Sequence, residues 1–130
     1  MPDREAIARA AVDCAIHIHR ELGPGLLESV YEMVLAAALA RRGFHVVRQV
    51  AVDVHFDGLH FPGAFRVDLL VEDCFPIEIK AVEKLLPVHA KQLLTYLRLL
   101  KQPLGLLLNF SGETMREAIR RLVNDHRAAS

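Results

Sequence analysis

Two helical patterns open the chain. In residues 4–22 apolar side chains recur at intervals of three and four, as expected for a helix with one buried face. The Gly-Pro-Gly run at residues 23–25 ends this segment, and a second helix is predicted over residues 26–43, with Gly43 as its C-terminal cap. The predicted apolar stripe of the second helix consists of Leu27, Val30, Val34, Leu35 and Ala38.

The pattern then changes to the alternation that is typical of strands. Residues 44–58 alternate β-branched and polar side chains and end in Asp57-Gly58, a turn signal. Residues 64–73 and 74–82 predict two further strands joined by a tight turn near residues 72–74. Residues 104–110 are apolar apart from Asn109, the pattern of a strand that is buried on both faces.

Two more helices are predicted, over residues 87–102 and 111–124. Pro87 starts the first, and Ser111 or Thr114 is a suitable cap for the second. The predicted order is α-α-β-β-β-α-β-α, which indicates an α/β fold with a mixed four-stranded sheet flanked by helices. The length favours a single domain over residues 1–130.

Composition and charge narrow the classes of function. The chain is 52% hydrophobic and 25% charged, within the range of globular proteins. Sixteen basic and sixteen acidic residues give no net charge, which argues against binding to nucleic acid by bulk attraction alone. Cys14 and Cys74 are expected to be free buried thiols. The charged N-terminal segment and the absence of a long apolar run predict a cytoplasmic protein without a membrane span.

Two charged residues interrupt an apolar strand at residues 74–82. Strand alternation places Glu78 and Lys80 on one face, opposite the face of the flanking isoleucines. A hairpin centred on Asp73 sets Asp68 across from Glu78, with Cβ atoms about 5 Å apart. Two carboxylates at that spacing favour a shared proton or a hard divalent cation. An ordinary surface pair with Lys80 remains the alternative.

Further polar residues lie on the predicted helices. Glu28 stands in the first turn of the second helix, where it also suits the helix dipole, and Tyr31 follows on the same flank. Gln92 and Tyr96 form an i, i+4 pair, with His89 one turn earlier. Taken alone, each of these residues is better explained by packing or exposure to solvent than by catalysis.

Other residues give weaker signals. Lys84 follows the acidic strand and is a candidate contact for a phosphate backbone. His17 and His19 lie two apart on a helix and point in different directions, and the remaining histidines show no ligand spacing. The sequence has no phosphate-binding loop and no dinucleotide-binding glycine motif.

The chain resembles a known family at these residues. The segment GLLESVY, with Gly25, Glu28 and Tyr31, is similar to the signature of GxxExxY proteins. The segments FRVDLLVED, IEIKAVEKLLPVHAKQLLTYLRLL and LGLLLNF also resemble that family, so that the resemblance extends from about residue 5 to residue 124. GxxExxY proteins are grouped with the PD-(D/E)XK nuclease superfamily, whose core has the order α-β-β-β-α-β.

The resemblance implies roles for individual residues. Asp68 and Glu78 match the acidic metal ligands, the Ile79 carbonyl matches a backbone ligand, and Lys80 matches the catalytic lysine. Glu28 resembles an additional glutamate that relatives carry before the sheet. Pro76 does not match the proline of the superfamily's motif, which accompanies the first aspartate.

The resemblance further implies a cofactor and a substrate. The cofactor is Mg²⁺, with Mn²⁺ as a substitute, and the reaction is phosphodiester hydrolysis in DNA rather than RNA. The residues expected to contact the substrate are Tyr31, Gln92, Tyr96, Lys84 and His89.

An accessory function is the alternative. A nuclease-fold protein that binds nucleic acid with little turnover would act with a partner, and zero net charge fits that alternative. The alanine-rich second helix also permits a homodimer. An intact Asp68, Glu78 and Lys80 set favours the nuclease.

Overall fold

Eight helices and strands follow one another in the part of the chain that the computed structural model describes, residues 3–116 and 118–125. In chain order they are α1 (Arg4–Leu22), α2 (Glu28–Arg41), β1 (Val46–Phe56), β2 (Leu59–Val71), β3 (Phe75–Lys80), α3 (Pro87–Leu100), β4 (Leu104–Asn109) and β5 (Ile119–Val123). The α/β class and the α-β-β-β-α-β core are confirmed. The sheet has five strands among the described residues instead of the four predicted.

The strands lie in the sheet in the same order as in the sequence. Neighbouring strands are antiparallel, except that β3 and β4 are parallel. A parallel pair needs a crossover connection, and α3 provides it. Every residue of β4 is buried, as the apolar run at residues 104–110 predicted.

The predicted last helix is wrong. Described residues 111–116 form turns and bends, and Ile119–Val123 is strand β5, which pairs with β4 from Leu108↔Ile119 to Leu104↔Val123. The predicted caps Ser111 and Thr114 therefore precede no helix; residue 117 lies outside the described residues. The backbone of β4 is buried and needs hydrogen-bond partners on both sides, and β5 supplies them on the side away from β3.

The helices pack on both faces of the sheet. The larger core lies between α1, α2 and the sheet face that carries Leu69, Ile77 and Ile79. The smaller core lies on the other face, where Leu93 and Leu97 of α3 pack with Leu107. Both cysteines are free and buried, as predicted. Among the described helices, none is long and apolar enough to cross a membrane.

The buried side of α2 differs from the predicted stripe. Leu27 precedes the helix and is 73% exposed, while Val30 is only half-buried. Leu35 is fully buried as predicted, and the helix also buries Tyr31 and Leu39 completely. Because most of the helix is apolar, the sequence pattern identified only part of the face that the sheet covers.

Gly105 allows β4 to approach α3 closely. A Cβ atom at this position would lie 2.9 Å from the Pro76 carbonyl oxygen and 3.1 Å from Leu97 Cδ2. The carbonyl belongs to the neighbouring strand and cannot move away without disturbing the sheet. We therefore expect Gly105→Ala to lower the free energy of unfolding by about 1–3 kcal/mol.

Urea unfolding monitored by circular dichroism measures this effect. Gly112→Ala is the matched control. A Cβ atom at Gly112 would lie 3.4 Å from its nearest neighbour, the Thr114 carbonyl oxygen, and the φ of Gly112 is not positive. The control should change stability by less than about 0.5 kcal/mol. Equal stabilities of the two variants would contradict the steric explanation.

Candidate active site

The two predicted acidic residues meet where the pairing of β2 with β3 ends. The paired residues are Val71↔Phe75, Leu70↔Pro76 and Leu69↔Ile77, so the hairpin is centred on Asp73 as predicted. At the next position, where Asp68 faces Glu78, side-chain carboxylates accept the backbone N–H groups in place of backbone carbonyls. The Asp68 N–H donates to Glu78 Oε2 at 2.7 Å, and the Ile79 N–H donates to Asp68 Oδ2 at 2.8 Å. These reciprocal bonds hold both carboxylates between the strands.

Burial changes the protonation of Glu78. The residue is only 4% exposed. Burial, and then the neighbouring charge of Asp68, raise the pKa of Glu78 to about 8. The hydrogen bond from Asp68 N–H and the charge of Lys80 oppose this shift and do not cancel it. Without a cation, the carboxylate pair therefore tends to hold a proton at Glu78 near neutral pH.

Three further predicted residues lie beside the carboxylates. Lys80 Nζ donates to Gln92 Oε1 at 3.3 Å, which connects the end of β3 with α3. Tyr96 hydrogen-bonds with Gln92 through its side chain, and its ring stacks on Phe65 of β2 with centroids 4.2 Å apart. Burial, followed by the charges of Glu78 and Asp68, raises the pKa of Tyr96, so its hydroxyl remains a proton donor.

Glu28 approaches the site from the other helical layer. It is the first residue of α2, and its side chain is exposed. Its Oε2 accepts a hydrogen bond from the Ala81 N–H at 3.3 Å. Ala81 directly follows Lys80, so the Glu28 carboxylate lies at the carboxyl end of β3.

Tyr31 lies apart from this group, in the core. Its side chain is fully buried and stacks on Phe110 with ring centroids 4.5 Å apart. Its hydroxyl donates to the Gly23 carbonyl at 2.5 Å and accepts from the Leu26 N–H at 3.2 Å. In this position Tyr31 has no exposed surface for a substrate. Its contacts instead fix the turn before α2 and thereby the position of Glu28.

Lys84 and His89 lie beyond the end of β3. Lys84 is exposed and lines a cavity of about 260 Å³ together with Asn109 and Arg120. His89 Nδ1 accepts a hydrogen bond from the Leu86 N–H at 2.9 Å and so satisfies a backbone donor at the start of α3. This contact ties the imidazole to the helix terminus.

Two residues that sequence reasoning missed connect to Asp68. The side-chain N–H₂ of Gln49 donates to Glu32 Oε1 at 2.6 Å and to Asp68 Oδ1 at 3.2 Å. Glu32 is only 5% exposed, and its other oxygen accepts from Arg48 Nε at 3.0 Å. A buried carboxylate on α2 is thus coupled through Gln49 to the carboxylate on β2.

The backbone of Gln49 is strained to reach this position. Its φ of 54° lies in the left-handed region, which non-glycine residues within a strand rarely adopt. Its neighbours pair as Arg48↔Leu69 and Val50↔Val67, so Gln49 lies opposite Asp68. The one sequence signal for Glu32 was its position four residues after Glu28, on the same side of the helix.

The carboxylate donors suit a hard divalent cation. A backbone N–H of β2 holds the Glu78 carboxylate, and one of β3 holds the Asp68 carboxylate. The Glu28 carboxylate lies at the carboxyl end of β3. Burial and the charge of Asp68 raise the pKa of Glu78, and a bound cation would offset the repulsion between the two carboxylates. Oxygen donors of this kind match Mg²⁺ or Mn²⁺ better than they match soft metals.

The comparison with protein families agrees with this geometry. Residues 5–122 match a family model described as the PD-(D/E)XK nuclease superfamily. A search of curated proteins found no match.

Proposed function

Because the chain belongs to the PD-(D/E)XK nuclease superfamily, we propose that it is a metal-dependent nuclease that hydrolyses phosphodiester bonds in DNA. The observation that carries the proposal is that the Glu78 carboxylate accepts the Asp68 N–H and the Asp68 carboxylate accepts the Ile79 N–H, with Lys80 two residues after Glu78 on β3. The motif GLLESVY further supports placing the chain in the GxxExxY branch of the superfamily. We also propose that residues 1–130 act as one domain in the cytoplasm.

In this proposal the metal ligands are the carboxylates of Asp68 and Glu78 and the carbonyl of Ile79. Glu28 adds a fourth oxygen donor, directly or through water. Mg²⁺, when bound, polarises the scissile phosphate and lowers the pKa of a water molecule. The position of Gln49 keeps Asp68 oriented toward this set.

The remaining residues act on the attacking water, the phosphate and the nucleic acid backbone. Lys80 orients the attacking water and stabilises the negative charge that develops on the phosphate. Gln92 holds the Lys80 ammonium group, and Tyr96 lies one helical turn further along α3. In this proposal both side chains contact the nucleic acid backbone, and Lys84, which is exposed, extends the path of phosphate contacts.

A substrate panel tests the proposed activity. Purified protein is incubated with labelled single-stranded, duplex and branched DNA and with RNA, in Mg²⁺, Mn²⁺ or EDTA. We expect cleavage of at least one DNA substrate with either metal and none in EDTA. Asp68→Asn, which keeps the shape and removes the charge, should abolish the metal-dependent cleavage.

An accessory role is the second candidate, because the chain carries no net positive charge to hold DNA by itself. No cleavage of any substrate by wild type, together with binding of nucleic acid alone or with a partner, would favour that role. Equal cleavage by wild type and Asp68→Asn would refute the proposed site and indicate a contaminating nuclease.

A further inference from the structure

The outer part of the β1–β2 hairpin lies beyond the pairing of β2 with β3 in the described part of the chain. In this part of β2, residues 59–61 and 65–66 pair with β1, whereas the pairing of β2 with β3 covers residues 69–71. The tip exposes apolar side chains, among them Phe56 at 63% and Leu59 at 56%. A two-stranded ribbon of this kind is marginally stable in water without an additional constraint.

Three potential metal ligands come together on this ribbon. His55 and His60 are directly paired across the two strands, and their rings stack with centroids 4.5 Å apart. Asp53 lies two residues before His55, and its Oδ2 lies 2.8 Å from His60 Nε2. The linear spacing of the histidines did not indicate this group, because it forms only when the hairpin closes.

A bulge and a backbone contact orient Asp53. The strand pairing shifts between Val52 and Val54, so Asp53 stands at an irregular position of β1. Its Oδ1 accepts the Gly63 N–H at 2.8 Å. That bond and the His60 contact keep the pKa of Asp53 below its ordinary value, so the carboxylate is ionised. One oxygen is thus fixed by the backbone while the other faces the imidazoles.

We propose that Asp53, His55 and His60 bind a divalent transition-metal ion of the Zn²⁺ type, at a site separate from the Asp68–Glu78 carboxylates. Their ligand atoms lie within 4.8 Å of one another. Tetrahedral Zn²⁺ with bonds of about 2.0–2.1 Å requires separations of about 3.3 Å, so small side-chain rotations close the site. All three side chains are exposed, which gives the ion direct access.

The chemistry distinguishes this site from the nuclease site. Two imidazole nitrogens and one carboxylate oxygen suit Zn²⁺, Co²⁺ or Ni²⁺, whereas Mg²⁺ prefers oxygen donors alone. The ion takes the place now occupied by the hydrogen bond between His60 and Asp53. The neutral His60 ring then carries its proton on Nδ1, which leaves Nε2 free to bind the metal without net loss of a proton from the ring. With three protein ligands, the fourth coordination position is left to water. Because Asp53 and His55 lie on β1 and His60 lies on β2, the bound ion cross-links the two strands.

Metal titration of the untagged full chain tests the site. Zn²⁺ binding is measured by calorimetry in excess Mg²⁺, which occupies the oxygen-donor site. Wild type should bind one equivalent, and His60→Ala and Asp53→Asn should each weaken binding by at least about tenfold. His45→Ala is the matched control, an exposed histidine just before β1 that is not in the cluster, and should bind as wild type does.

Nitrogen chemical shifts of the imidazoles locate the ion. Zn²⁺ should shift the ring resonances of His55 and His60 and leave that of His45 unchanged. Absence of stoichiometric binding by wild type overturns the proposal. Binding that survives in His60→Ala and Asp53→Asn, or that is lost in Asp68→Asn, also overturns it. None of these outcomes depends on whether the protein cleaves DNA.

Discussion

Lys80→Ala is expected to lower metal-dependent DNA cleavage by about a hundred- to a thousandfold, the usual loss when one charge-stabilising group is removed from a reacting centre. Lys80 lies two residues after Glu78 on β3, where its charge acts on the Glu78 carboxyl, and its ammonium group donates a hydrogen bond to Gln92 Oε1 at 3.3 Å. Alanine removes that charge but no ligand of the metal. Affinity for Mg²⁺, measured by calorimetry, should therefore fall far less than the rate of cleavage.

The rate is measured under single-turnover conditions on whichever substrate wild type cuts. Lys91→Ala is the control, because Lys91 is an exposed lysine on α3 beside Gln92 and its loss changes the net charge equally. It should alter the rate by no more than a few-fold, about the effect of one screened surface charge. A similar loss in both variants would show that Lys80 contributes only general attraction to DNA.

The meeting of Asp68 with Glu78 could be predicted because a short hairpin fixes its own register. The turn between β2 and β3 includes Glu72 and Asp73, both with positive φ, and it fixes the register of the two strands. Strand alternation then determines which side chains share a face. The same local logic predicted the buried strand β4. These features depend on neighbours in sequence, which a single chain displays directly.

The coupling of Gln49 to Asp68 depends on a feature that the sequence does not display. The Asp57-Gly58 turn pairs Phe56 with Leu59, and a regular ladder from that turn would set Gln49 opposite Arg66. Between Val54↔Phe61 and Val52↔Phe65 the pairing shifts by two residues, which brings Gln49 opposite Asp68 instead. A bulge that decides which residue joins the site was not apparent from strand alternation.

The burial of Tyr31 and the loss of the last predicted helix have a different cause, which is tertiary context. Spacing placed Tyr31 on the flank of Glu28, but Phe110 at the end of β4 covers its ring. Residues 119–123 carry apolar side chains at spacings that also suit a helix, yet they pair with β4. Contacts between distant segments outweighed the local preference in both cases.

Removal of metal is expected to make the stability of the protein fall as pH rises. Glu78 has a pKa of about 8 in the folded chain and 4.5 as its ordinary value, so between these limits the folded state holds more protons than the unfolded state. The stability associated with the protonated carboxyl is fully present below about pH 4.5 and is lost as pH rises through about 8. One proton corresponds to at most about 1.4 kcal/mol per pH unit within this window.

Urea unfolding of EDTA-treated protein at about pH 5.5 and about pH 7.5 measures the slope. Glu78→Gln imitates the protonated acid and should remove most of the difference that wild type shows between the two pH values. Glu83→Gln, at an exposed position in the segment after β3, should keep it. Mg²⁺ should stabilise wild type more at the higher pH, because a proton competes with the cation for Glu78 at the lower one. Identical pH dependence in wild type and Glu78→Gln would mean that Glu78 is ionised in the folded protein, and that the Asp68–Glu78 pair does not need a cation to relieve its charge.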